Sequence, residues 1–220
     1  MTRPLRIADR VWLSTTSDPR GRPGPAPASR HPGDLRRAAA LPEWRAREFL
    51  AGRGLLRQLL GAVRPDLADA EITADPRGKP ALHGHPGIGI SVSHTDGGIA
   101  AGVAVGRALG VDLQRPTAHV SPALTRRLPP DHARQLAALP PERAAEEAAW
   151  IWTAQEACVK ASGAGLAGRP WTIPIPPGAR RGRWGAYRWT ALRDRSALPL
   201  SCAYTDTDIE APVEKAGPPA

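Results

Sequence analysis

The chain has 220 residues, 41% of them hydrophobic, and a formal net charge of +9. That length supports one domain of two lobes or two small domains; no apolar run reaches the ~18 residues of a membrane span, and the opening MTRPLRIADRVWLSTT lacks the apolar stretch of a secretory signal. Its two cysteines, Cys158 and Cys202, stand outside any Cys-x-x-Cys spacing, which argues against a disulfide scaffold and for a cytoplasmic protein. The basic excess suits an anionic partner, whether nucleic acid, membrane surface, acidic protein or phosphorylated small molecule. It is an arginine excess in an Ala-, Pro- and Gly-rich chain, a pattern GC-rich coding also produces. Only Lys79, Lys160 and Lys215 are lysines.

In chain order, RIADRVWLST reads as an opening strand. SDPRGRPGPAPASRHPGD is Pro/Gly-rich and reads as a mobile loop. LRRAAALPEWRAREFLAGRGLLRQLLGAV has helical periodicity, with Phe49, Leu56, Leu59 and Leu60 on one face, and Gly52 and Gly54 weaken it. ADPRGKPAL is a turn leading into extended chain. GIGISVSHTDGGIAAGVAV is the strongest hairpin, with TDGG as its turn. ALGVDLQRP follows as a strand with Leu109, Val111 and Leu113 on one face and Asp112 and Gln114 on the other. Helical stretches begin near Ser121 and Asp131. A long helix starts in PPERAAEEAAW, with proline and acids in its first turn, and stops at Gly163 and Gly165. RWGAYRWT and LPLSCAYT are two further strands, and APVEKAGPPA is a frayed tail. Antiparallel hairpins beside separate helices indicate an α+β fold.

On the long helix, Trp152, Glu156 and Lys160 continue one stripe at intervals of four, and Trp152 is expected in the core. Alone, Glu156 and Lys160 are an ordinary surface pair worth ~0.3–0.5 kcal/mol. Asp112 alone is a solvated strand residue. An acid on a strand beside an acid on a helix, however, suits Mg²⁺, which takes one or two carboxylates and shares its other positions with water and substrate phosphates. Ser93 and His94 at a Gly-rich turn suit a phosphate or ribose contact, or else a hydrogen-bonded turn. Lys79 sits in a turn, and Arg47 and Arg53 flank a helical segment.

RGKPAL, SVSHTDGG, GVDLQ and WTAQEACVKASGAGL, in that order, resemble the 4′-phosphopantetheinyl transferases of the larger, monomeric Sfp type. The resemblance runs from about Arg47 to Gly165. It implies two similar pseudo-symmetric lobes, 1–107 and 108–220, each a small antiparallel sheet packed with helices, with the active site between them. It implies transfer of 4′-phosphopantetheine from coenzyme A to a serine of an apo acyl or peptidyl carrier, such as a carrier domain of a polyketide or nonribosomal peptide synthase, with release of 3′,5′-ADP. Asp112, Gln114 and Glu156 would hold Mg²⁺. Glu156 would take the serine proton and Lys160 would assist the departing phosphate. Arg47, Arg53, Lys79, Ser93, His94 and Lys160 would bind coenzyme A. A lysine suits position 160 because an ammonium can deliver a proton, which an arginine effectively cannot.

The family patterns are Gly-x-Asp-x-Glu and Trp-x-x-Lys-Glu-x-x-x-Lys, so Gln114 replaces a glutamate and Gln155 a lysine. Weaker metal or coenzyme A affinity is the expectation, with a catalytically weakened coenzyme A binder as the alternative. A nucleic-acid-binding module is the alternative from another class. It lacks zinc-finger, RNP-like or helix-turn-helix signatures, and its arginines form no single stripe.

Overall fold

The computed structural model of the chain describes residues 4–16, 24 and 27–206. Positions 17–23, 25 and 26 of the predicted loop, and the predicted tail from Ala211, lie outside the described residues. In chain order the elements are β1 (Leu5–Ala8), β2 (Val11–Thr15), α1 (Pro32–Ala38), α2 (Glu43–Val63), β3 (Ile72–Ala74), β4 (Pro80–Leu82), β5 (Ile88–Thr95) and β6 (Gly98–Val105). They continue as β7 (Leu109–Leu113), α3 (Pro122–Thr125), α4 (Pro130–Ala137), α5 (Pro141–Ser162), β8 (Arg181–Trp184), β9 (Tyr187–Ala191) and β10 (Leu200–Thr205).

Two four-stranded sheets have the orders β1-β2-β6-β5 and β7-β10-β9-β8, and every pairing is antiparallel. β3 and β4 form a separate hairpin. Each large sheet repeats one connection. A strand leads into a long helix, and the chain returns as a hairpin whose last strand pairs with the first: β2-α2-β5-β6 and β7-α5-β9-β10. The architecture is α+β, antiparallel sheets packed with helices, as the sequence indicates.

Three local expectations change. RIADRVWLST is a hairpin, not one strand; it turns at Asp9–Arg10, with Arg10 at φ 58°. The long helical stretch divides into α1 and α2 because Pro42 has no N–H with which to continue a helix from before it. RWGAYRWT also folds back on itself, with Trp184 opposite Tyr187.

Three apolar clusters hold the layers. Leu55, Leu56, Leu59 and Leu60 of α2 pack on Ile90 and Val103. Ile151, Ala154 and Cys158 of α5 pack on Trp189 and Ala203. Leu13, Leu109, Val111, Leu113 and Leu200 join the two sheets. Phe49, expected with the α2 leucines, is only half-buried. Gly54 is no defect in its helix: a Cβ there would strike the carbonyl of Pro27, where the 27–29 segment crosses α2. At Gly110 a Cβ would meet the Ala157 carbonyl and the Ala161 amide nitrogen, so α5 lies directly on the backbone of β7.

A buried charge cluster ties α1 to α2. Asp34 accepts from Ser29 Oγ at 2.6 Å and Arg57 Nε at 2.6 Å, and Arg53 Nε lies 3.8 Å away. Burial pushes the Asp34 carboxyl up, but the hydrogen bonds from Arg57 and Ser29 and the two arginine charges outweigh it and hold it below the usual range. Asp34→Ala strands two guanidinium groups without a counter-ion. It should cost about 3–5 kcal/mol in denaturant unfolding, as does removal of one partner from other buried ion pairs.

Candidate active site

The site forms where the last turns of α5 cross the edges of the two sheets. β7 is an edge strand of the second sheet and β5 an edge strand of the first. Alternation turns Gly110 and Asp112 of β7 toward α5. Asp112 is 6% exposed, so the solvated-strand reading fails for it. Lys160 Nζ donates to Asp112 Oδ1 at 2.6 Å and to Ser93 Oγ at 3.1 Å, and Ser93 Oγ donates to Asp112 Oδ1 at 2.9 Å.

Glu156 is one turn before Lys160. Its Oε1 is buried and has no hydrogen-bond partner. Burial pushes its carboxyl above the usual range; the Asp112 charge adds to that and Lys160 opposes it. An orphaned carboxylate oxygen beside a second carboxylate is a place that fits a cation, and oxygen ligands of this kind suit Mg²⁺. Gln114, two residues beyond Asp112, donates through Nε2 to the Arg115 carbonyl at 2.9 Å and lines the groove at Trp152, not the cavity at Glu156 and Lys160. Among the described residues no cluster of three His, Cys, Asp or Glu side chains could hold a metal, so any such set here must include an amide or water oxygen.

Beside Glu156 and Lys160 is a cavity of about 320 Å³, also lined by Lys79, Pro80, Val92 and Gly163. It shares Gly78, Pro80 and Val92 with a second, of about 190 Å³, lined by Arg45, Phe49, Arg53 and His94. The two make one trench from the carboxylates to a cationic end. Arg53 is 7% exposed and stacks over Phe49 at 5.0 Å, and its Nη1 is buried without a partner. Burial depresses its guanidinium to about 10, so it stays charged at neutral pH. Arg45 Nη1 lies 2.7 Å from His94 Nε2 and 3.0 Å from Glu48 Oε2, so it donates to both. Burial lowers the His94 pKa, Glu48 opposes, and Arg45 and Lys160 lower it further; the ring is therefore neutral, with its Nε2 an acceptor.

The other expected residues are not all at the trench. Arg47 is exposed and pairs with Glu43 at 2.5 Å; it lines an adjoining cavity that shares Glu48 and His94 with the cationic end. Lys79 lines the trench, but its Nζ donates to the Ala161 carbonyl at 2.7 Å, while Arg77 donates to the Gly163 carbonyl at 3.3 Å. Two cations of one turn thus hold the negative end of α5. Strand alternation sends Ser93 to Asp112 and its neighbour His94 to α2. Arg45 was missed, although Arg45, Phe49 and Arg53 recur at intervals of four. Trp152 is half-buried, not core. It lines an apolar groove of about 340 Å³ one turn before Glu156, together with Gln114, Leu124, Arg127 and Trp171.

Residues 108–190 match the family model described as the 4′-phosphopantetheinyl transferase superfamily. The chain is also 34% identical over 134 residues to the 4′-phosphopantetheinyl transferase HetI of Nostoc sp., an alignment covering 57% of this chain and 55% of that relative. The chain is thus similar to 4′-phosphopantetheinyl transferases over its middle and later parts. It spans about half the length of this curated relative. The part matching the superfamily model runs from β7 into β9 and holds Asp112, Gln114, Glu156 and Lys160; the cationic end of the trench precedes it.

Gln155 lines neither cavity of the trench. It is fully buried, and its Nε2 donates to the Ile173 carbonyl at 2.8 Å. The expectation that it removes a cation from the phosphates is therefore overturned. A lysine can donate to the same carbonyl. Gln155→Lys should leave coenzyme A affinity within about twofold by calorimetry, whereas Gln155→Leu should lose about 1–3 kcal/mol of stability by stranding that carbonyl.

The raised pKa of Glu156 fixes the sign of a pH effect. The folded protein holds that proton more tightly than the unfolded chain, so stability is lost as pH rises through the raised value. In chelator, Glu156→Gln should melt above wild type at about pH 8, and the difference should close near pH 4.

Proposed function

We propose that this protein transfers 4′-phosphopantetheine from coenzyme A to a serine hydroxyl of an apo carrier protein, releasing 3′,5′-ADP. The observation that carries the reading is the meeting of Glu156, Lys160 and Asp112 at one end of a trench whose other end presents Arg53. A half-buried carboxylate next to an ammonium is equipment for moving a proton at a phosphoryl centre. A guanidinium about a trench length away, paired with Asp34 through Nε but with Nη1 unpartnered, suits the nucleotide phosphates.

In this reading Glu156 takes the proton of the carrier serine, directly or through a water. The serine oxygen bonds to the β-phosphorus as the bond from that phosphorus to the bridging oxygen breaks. Lys160 neutralises or protonates the departing phosphate. Asp112 and Glu156, with the Gln114 amide oxygen, would hold Mg²⁺, which supplies charge neutralisation at the pyrophosphate. Arg53, Arg45 and His94 hold the nucleotide end, and Lys79 borders the path between. Arg47, whose cavity shares Glu48 and His94 with that end, stands beside them with its guanidinium paired to Glu43.

The carrier comes from the other side of Glu156. The apolar groove at Trp152 and Trp171 has Arg115 and Arg127 on its lining, and Arg127 stacks over Trp171 at 4.4 Å. An acidic helical carrier, of fatty-acid, polyketide or nonribosomal-peptide type, suits such a surface, and the +9 charge favours the encounter. The reading includes two lobes, 1–107 and 108–220, acting as a monomer in the cytoplasm. Two buried free thiols, both pushed up to about 12, accord with a reducing compartment. No helix among the described residues is long and apolar enough to cross a membrane.

Intact-mass spectrometry of apo carriers incubated with coenzyme A, Mg²⁺ and this protein tests the reading. A phosphopantetheine adduct is expected with wild type. Glu156→Ala should slow its formation by about 10²-fold or more, the range of a lost general base. No adduct on fatty-acid, polyketide or peptide carriers, from a folded protein that binds coenzyme A, would replace transfer with binding alone.

A further inference from the structure

We propose that Ser93 is a positioning residue, which sets Asp112 and Lys160 on each other, and not a nucleotide contact. The inference rests on the transferase reading for its kinetic test, but its geometry stands apart from it. Ser91, Ser93 and Thr95 project from one face of β5 toward the open edge of β7. Their hydroxyls accept from the amides of Val111 at 2.9 Å, Leu113 at 3.2 Å and Arg115 at 3.1 Å. Three side chains at a spacing of two thus meet three amides at a spacing of two, and the second sheet is keyed to the first in a single register.

The middle hydroxyl does more than its neighbours. It accepts from Leu113 N and from Lys160 Nζ and gives its own proton to Asp112 Oδ1. A serine hydroxyl has one proton and two lone pairs, so these three bonds saturate it. At 5% exposure it has neither the capacity nor the access to hold a phosphate while those bonds persist. The seam fixes the hydroxyl, and the hydroxyl fixes the carboxylate and ammonium that the chemistry needs in place. Misplacing such groups by about 1 Å can cost about 10²-fold in rate.

The test compares Ser93→Ala with Thr95→Val, an isosteric change at a rung that bonds to neither Asp112 nor Lys160, and with Ser93→Thr, which keeps the hydroxyl. Transfer kinetics should show kcat down about tenfold or more in Ser93→Ala with KM for coenzyme A within about twofold, the split left by a lost positioning contact. Thr95→Val should keep wild-type kcat, and Ser93→Thr should regain most of it. With only three lysines in the chain, the Lys160 ammonium can be followed by heteronuclear NMR. Its ordered signal should persist in Thr95→Val and be lost in Ser93→Ala. If Ser93→Ala does not fold, Ser93→Cys, close in volume and a poor hydrogen-bonding group, is read in its place. A raised KM with unchanged kcat would make Ser93 a nucleotide contact and overturn the proposal. Equal losses in Ser93→Ala and Thr95→Val would reduce it to general support of the seam, and also overturn it. If wild type transfers to no carrier, the transferase reading fails by itself, and the ammonium signals alone decide for or against Ser93.

Discussion

The contact on which the site depends is the approach of α5 to the backbone of β7 at Gly110. Any side chain there would meet the Ala157 carbonyl and push the helix away. Because the helix rests on the strand, the residue two places on, Asp112, emerges under its last turns. Glu156 and Lys160, one turn apart, then descend to it from the helix. The glycine and aspartate of GVD therefore act together: one sets the separation of two elements and the other uses it.

The helix is also held from outside its own half of the chain. Lys79 and Arg77 belong to the β3–β4 turn and bond the carbonyls of Ala161 and Gly163. Asp75 Oδ1 shapes that turn by accepting from the amides of Arg77 and Lys79, each at 2.8 Å. Burial lowers the Lys79 pKa, and Asp75 opposes. A cation serving a helix terminus remains at the border of an anion-binding trench, so fold and site draw on one charge.

Much of this was legible in the chain. Strict alternation in ALGVDLQRP separated Asp112 from the apolar residues, and the four-residue interval aligned Glu156 with Lys160, since both patterns are local. The order and spacing of the motifs gave the resemblance to 4′-phosphopantetheinyl transferases, and the similarity over residues 108–190 accords with it. What escaped depends on partners far along the chain. Nothing near Gln155 announces the Ile173 carbonyl, and nothing near Lys79 announces the end of α5. Ser93 and His94 are adjacent in sequence, so they read as one unit, yet a strand turns them to opposite faces. Trp152 read as core because tryptophan usually is, whereas here its stripe is the one that α5 leaves half open. The Asp9–Arg10 turn has no glycine or proline to mark it, and only the positive φ of Arg10 reveals it.

The seam between β5 and β7 has a consequence for solubility. An edge strand with free amides is a template on which another chain can add a strand. In this protein the outward amides of Val111, Leu113 and Arg115 are occupied by hydroxyls rather than by a neighbouring backbone. Side chains from the other sheet thus close an edge that a further strand would otherwise seek. The two halves shield each other from self-association, and a chain divided between β6 and β7 would expose a strand edge ready to pair with its own copies.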